Sequence, residues 1–284
     1  MSRTTVSEGN VDPGKYAQES IPGIEAMPQQ PFLSLILPAY NEVRVIGETL
    51  ATAQGYFNKR GVSYEIIVSV DGTDGTAELV REVARRDPNI KLTESNDRKG
   101  KGQAIRRGVQ LAKGDIVGFV DADNKIPIEE LDATLPWFDQ GYDLVIGSRA
   151  LQESHIEQRQ PWYRRLGSKG FGIVMHALAG LDDVPDTQCG FKFFRRDVAQ
   201  QLFGRQLIDG YMYDVEILFM AKQQGYQLKQ IGIHWRDDRD SRLDLVRGNF
   251  RSAIDLLRLR LFLHKAASKP FDQARKFTAQ VEDA

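Results

Sequence analysis

From residue 33 onward, short apolar runs rich in β-branched residues alternate with stretches whose apolar positions recur at helical spacing. The runs at 33–37, 65–70, 90–93, 116–120 and 144–146 are nearly all apolar, which predicts strands covered on both faces. Between them, residues 43–58, 75–86, 102–112 and 128–138 predict amphipathic helices. Repeated strand-helix-strand units predict an α/β fold, a mostly parallel central sheet flanked by helices with right-handed crossovers. The most apolar internal stretch, 171–181, contains His176 and is shorter than the ~20 residues a membrane-crossing helix needs.

Sheets of this kind bind ligands beyond the carboxyl ends of their strands. The first run leads into Pro38, Ala39, Tyr40, Asn41 and Glu42, the second into Asp71 to Thr76, and the fourth into Asp121, Ala122 and Asp123. Helix capping accounts for any one acidic turn; three at one edge point to a ligand. Asp121 and Asp123 are two apart in an extended segment and so share a face. Like charges that close oppose each other's ionisation unless a cation lies between them. Oxygen-only ligands suit Mg²⁺ or Mn²⁺.

Composition narrows the classes. Lys and Arg number 38 against 39 Asp and Glu, a net charge of -1, which excludes a generic polyanion binder and makes nucleic acid an unexpected partner. At 41% hydrophobic and 27% charged, the chain fits a soluble globular protein. The single cysteine, Cys189, allows no internal disulfide and no thiolate metal site. With no leader or anchor pattern, a cytoplasmic setting is expected. The expected organisation is a disordered polar tail over 1–30, one α/β domain over 31–240, and an amphipathic helix with a polar tail over 241–284.

In that last part, Leu243, Val246, Phe250, Ile254, Leu257 and Leu261 form one stripe, with Arg247, Arg251, Arg258 and Arg260 around it. A basic amphipathic helix of this kind fits peripheral contact with an anionic membrane. More often such a stripe packs on the domain, or on a second copy in a homodimer.

The motifs LPAYNE at 37–42, VSVDGTDGT at 68–76, RKGKGQA at 98–104, VDADN at 120–124 and IGSR at 146–149, in this order, resemble the family 2 glycosyltransferases. These are inverting enzymes of the Rossmann-like GT-A fold that use nucleotide sugars. DTQCGFKFF at 186–194 and YMYDVEILFMA at 211–221 resemble the branch of dolichyl-phosphate β-glucosyltransferases and mannose synthases. The resemblance implies transfer of a hexose, glucose from UDP-glucose, to a polyprenyl or dolichyl phosphate.

It also implies residue roles. Pro38, Ala39, Tyr40 and Glu42 match the nucleoside pocket, Asp71 an acceptor for the pyrimidine imide, and Lys101 a loop against the nucleotide. Asp121, Ala122 and Asp123 match the metal motif that holds the diphosphate; where mannose synthases often place a further polar ligand, this chain has Lys125. Arg149 matches a phosphate-handling arginine, whose planar fork gives bidentate contacts. Arg164, Asp186, Gln188 and Lys192 are expected on the acceptor side, with Arg159, Arg165 and Lys169 nearby. Asp214 and Glu216 open a predicted helix over 213–223; an acidic residue here serves soluble-acceptor relatives as general base, whereas an acceptor phosphate is already anionic. Asp123, Arg149 and Asp214 are thus the expected catalytic residues. A soluble or saccharide acceptor, with Asp214 or Glu216 as base, is the alternative, and a non-catalytic nucleotide-sugar-binding module is a third reading.

Overall fold

The computed structural model describes residues 30–95, 98–156 and 180–236. The expected tail up to residue 29, Arg159, Arg164, Arg165 and Lys169, and the expected C-terminal helix lie outside the described residues.

The first half follows the apolar runs. Strand β1 (Leu33–Tyr40) is followed by helix α1 (Ile46–Arg60), β2 (Tyr64–Asp71), α2 (Thr76–Arg86), β3 (Ile90–Ser95), α3 (Lys101–Leu111) and β4 (Ile116–Val120). All eight residues of β2 and all five of β4 are buried, as a sheet covered on both faces requires. The expected helix over 128–138 is interrupted: a 3₁₀ turn at Ile128–Glu130 leads into α4 (Leu131–Thr134), and α5 (Pro136–Asp139) starts anew. Pro136 lacks the N–H that would carry the ladder on, so it begins a helix rather than continuing one.

The chain goes on through β5 (Leu144–Ser148), β6 (His155–Ile156), β7 (Phe191–Arg195), α6 (Arg196–Gly204), α7 (Tyr213–Gln223), β8 (Leu228–Gly232) and β9 (His234–Trp235). The main sheet has seven strands in the order β3-β2-β1-β4-β7-β5-β8. Strands β1, β2, β3 and β4 pair in parallel, as do β5 and β8, while β7 runs antiparallel to both its neighbours, β4 and β5. Strands β6 and β9 form a short separate parallel pair.

Alternation along β1 divides the core. Leu33, Leu35 and Leu37 face a cluster with Ile46, Leu50 and Phe57 of α1 and Val80 of α2. Ile36 faces the other layer, with Ile105 and Val109 of α3, Leu202 and Phe203 of α6, and Leu218 of α7. Helices therefore cover both faces. The strand order reverses between β1 and β4, and the crevice this opens lies beside Tyr40 and Asp121.

Candidate active site

Two groups of predicted residues meet at that crevice. On the β1–β2 side, Tyr40 is the register partner of Asp71 and Pro38 of Ser69. Tyr40 is 40% exposed, and the Arg98 guanidinium lies 3.9 Å from its ring centroid. Asn41, at φ 57°, turns the chain so that its side-chain oxygen accepts from Thr73 N–H at 3.3 Å. Glu42 N–H donates to Thr76 Oγ1 at 3.0 Å, tying the two loops together.

Asp71 is buried, and its Oδ1 accepts from Arg107 at 2.7 Å. Arg107 also donates to Ser69 Oγ at 2.9 Å and Gln103 Oε1 at 2.8 Å. Sequence reasoning missed Arg107. Its only signal was its place on α3, six residues beyond Lys101, where it reads as an ordinary surface charge.

On the β4 side, Asp121 and Asp123 follow the strand, with Ala122 buried between them and its carbonyl accepting from Thr49 Oγ1 at 2.8 Å. Asp121 forms an ion pair with Lys101. Asp123 Oδ2 lies 3.0 Å from Lys125 Nζ. Lys101 is placed by Gly100, whose φ is 122° and whose α-carbon passes so close to the Asp209 carbonyl that a Cβ would collide with it. Gly190, also missed from the sequence, gives Asp121 its room: Asp121 N–H donates to Gly190 O at 3.1 Å, and a Cβ on Gly190 would occupy the Asp121 carboxylate.

The donor set is two carboxylates and no imidazole or thiolate. Among the described residues no group of three or more His, Cys, Asp or Glu could hold a metal alone. Two oxygen donors fit a hard cation that takes the rest of its shell from diphosphate oxygens and water.

Beyond β5, Arg149 is clamped. Its Nε and Nη2 donate to Asp186 Oδ2 and Oδ1, each at 2.8 Å, and its backbone N–H donates to Oδ2 at 2.8 Å. The guanidinium also lies 5.6 Å from the Trp235 ring centroid. Burial pushes the Asp186 carboxyl up, but the Arg149 hydrogen bonds and charge outweigh it, and it titrates below its ordinary value. The Asp186 carboxylate thus positions Arg149, while Gln188 is exposed beside it.

Lys192 lies elsewhere than expected. It is fully buried, with Nζ donating to Asp214 Oδ1 and to Cys189 O, each at 2.6 Å. Lys192, the second residue of β7, alternates with Phe191 and Phe193 and so shares the face of Phe194 toward the α3–α6–α7 layer, where its ammonium is directed to Asp214 rather than toward the open cleft. Burial raises the Asp214 pKa, partly offset by the Lys192 and Lys101 charges. Burial also lowers that of Lys101, but Asp121 and Asp214 more than restore it. Cys189 is buried, which pushes its thiol up to about 12 and leaves it unreactive.

Glu216 is buried and committed: its two oxygens accept from the N–H groups of Leu207 and Ile208, each at 2.8 Å. It holds the α6–α7 loop, and a role as general base has no geometry here. What converges on the crevice is therefore Asp121, Asp123, Lys101, Lys125 and Arg149, with Asp186, Lys192 and Asp214 behind them.

The model of Glycosyl transferase family 2 matches residues 34–203. The chain belongs to this family of glycosyltransferases. A dolichyl-phosphate beta-glucosyltransferase of Dictyostelium discoideum is 32% identical over 244 residues, covering 81% of this chain and 74% of the relative. The enzyme of the same name from Homo sapiens is 30% identical, covering 87% of this chain and 80% of the relative. A glucosyl-3-phosphoglycerate synthase from Mycobacterium tuberculosis, solved with Mn²⁺ and UDP-glucose, shares the fold at a TM-score of 0.58 and 21% identity. That likeness covers 81% of this chain and 79% of the solved one. The GT-A sheet expected from the motifs is the sheet observed, and the transferase contains, among its described residues, no helix long and apolar enough to cross a membrane.

Proposed function

We propose that this glycosyltransferase moves glucose from UDP-glucose to a polyprenyl phosphate of the dolichyl class, with inversion at the anomeric carbon. Relatives about 30% identical over most of the chain carry that activity in their names. The observation that carries the reading is the state of Asp214, the acidic residue expected to serve a soluble acceptor as general base: its carboxylate is buried and hydrogen-bonded to Lys192. A sugar hydroxyl needs a base, whereas a phosphate monoester arrives anionic. A phosphate acceptor therefore suits this site.

In this reading the uracil and ribose lie along Pro38, Tyr40, Glu42 and Asp71, with Arg98 leaving the Tyr40 ring face. Asp121 and Asp123 hold Mg²⁺ or Mn²⁺, which when bound offsets negative charge on the diphosphate. Lys101 meets the same diphosphate from the start of α3. Arg149, already oriented by Asp186, presents its remaining N–H groups to the acceptor phosphate, aligning an oxygen for in-line attack. Lys192 and Asp214 keep the charge pattern behind Lys101 fixed. The basic segment beyond residue 241 rests on an anionic membrane surface, where the lipid acceptor resides.

Incubation of the full chain with radiolabelled UDP-glucose, Mn²⁺ and either polyprenyl phosphate or 3-phosphoglycerate tests this. Label passing into organic solvent only with the lipid is the expected result. Label that stays aqueous while UDP is released overturns the lipid acceptor.

A further inference from the structure

The motif that takes the metal carries its own countercharges. Asp123 Oδ2 is 3.0 Å from Lys125 Nζ, and Asp121 is paired with Lys101. Neither lysine arrives by a loose excursion. Asn124 adopts φ 57°, which folds the chain back so that Lys125 N–H faces Asp123 Oδ1 at 3.4 Å. From the other side, Arg236 N–H donates to the Lys125 carbonyl at 2.9 Å, fastening the turn beside β9. Lys101 opens α3 against the packed backbone of Asp209. Both carboxylates are partly exposed, so the pairs sit at the mouth of the crevice rather than in the core.

Two carboxylates matched by two ammonium groups leave no net negative field for a bare dication to enter. A carboxylate oxygen engaged by an ammonium must also give it up before it can ligate. The same two lysines attract a diphosphate, which brings negative charge along with oxygens for the cation. We infer that Lys125 is a positioning residue that holds Asp123 until the nucleotide arrives, so that the metal binds as its nucleotide complex rather than alone. On arrival, the Lys125 ammonium transfers from Asp123 to a diphosphate oxygen, and Asp123 turns to the cation. No bond is made or broken beyond these ionic contacts. Metal and nucleotide affinities are thereby coupled, and by linkage each raises the other by the same factor.

This rests on the metal–diphosphate role proposed for Asp121 and Asp123. The test is a Mn²⁺ titration of the full chain, following the paramagnetic resonance signal of free Mn²⁺, with and without saturating UDP. The wild-type chain is expected to bind Mn²⁺ weakly alone and tightly with UDP. Removing a partly exposed ion pair and its charge in Lys125→Gln is expected to tighten Mn²⁺ binding without UDP by about two- to fivefold. It is also expected to shrink the gain that UDP confers by a similar factor. Lys125→Arg, which keeps the charge, should behave as wild type; Lys125→Met repeats the test without a polar side chain. Unchanged or weaker Mn²⁺ binding by both neutral variants without UDP overturns the role of Lys125 alone. Absence of Mn²⁺ binding by the wild-type chain even with UDP overturns the metal reading beneath it.

Discussion

Asp121 depends on a residue with no side chain. Because a Cβ at Gly190 would fall on the Asp121 carboxylate, Gly190→Ala must rotate that carboxylate away from its place beside Lys101. A Mn²⁺-dependent affinity for UDP at least about tenfold weaker is expected, a loss of about 1.4 kcal/mol. Calorimetry on a variant with unaltered circular dichroism checks it. Lys192 makes a second case. Its pair with Asp214 is buried on both sides, with side chains 1% and 5% exposed. Truncation in Lys192→Ala leaves a carboxylate buried without its ammonium, and a loss of about 3–5 kcal/mol in urea unfolding is expected. Both positions also mark where sequence reasoning stopped. The spacing of Asp121 and Asp123 was legible because it lies within one segment. The need for Gly190 depends on β7 lying antiparallel against β4, a pairing between residues some seventy positions apart that no local pattern encodes.

At the scale of elements, β1, β2, β3, β4 and β5 and helices α1, α2, α3 and α7 were legible because parallel strands covered on both faces are short apolar runs between amphipathic helices. Strand β7 was not. Its sequence, FKFFR, carries a lysine at the second position, which in isolation reads as a surface residue; only Asp214, arriving from α7, makes burial of that lysine tolerable. The α6–α7 loop owes its form to Glu216, whose carboxylate serves two backbone donors, and to Arg106, which donates to Gln206 O at 2.8 Å and Asp209 Oδ1 at 3.0 Å. Glu216→Gln provides one acceptor oxygen where two are used and strands a buried N–H. A loss of about 1–3 kcal/mol is expected, with faster hydrogen exchange at the Leu207 and Ile208 amides. Unchanged exchange there would show that other contacts hold the loop.

For the whole molecule, buried carboxylates set the response to acid. Asp186 and Glu65 titrate below their ordinary values of 3.8 and 4.5; burial pushes both up, but Arg149 outweighs it for Asp186, and Lys91, Ser34 and the Lys113 N–H do so for Glu65. Between the folded and ordinary values the unfolded chain binds more protons, so stability rises with pH across that window. Their contribution is complete above the ordinary values and is lost as pH falls through the folded ones. Asp214 and Glu216, raised by burial, act oppositely: the folded chain holds the extra proton, and stability falls as pH rises from their ordinary toward their raised values. Glu65→Gln is therefore expected to flatten the acid limb of the stability curve, measured by urea unfolding between about pH 3 and 6. An unaltered slope would mean that Glu65 titrates alike in both states.

The central assignment is transfer of glucose to a lipid phosphate with inversion, and the linkage in the product tests it most directly. The full chain would be incubated with UDP-glucose, Mn²⁺ and a polyprenyl phosphate, and the lipid product purified for measurement of its anomeric proton coupling by nuclear magnetic resonance. A β-linked glucosyl phospholipid, formed with one UDP per glucose, is the predicted result. An α-linked product, or UDP release with glucose left in water, would contradict it.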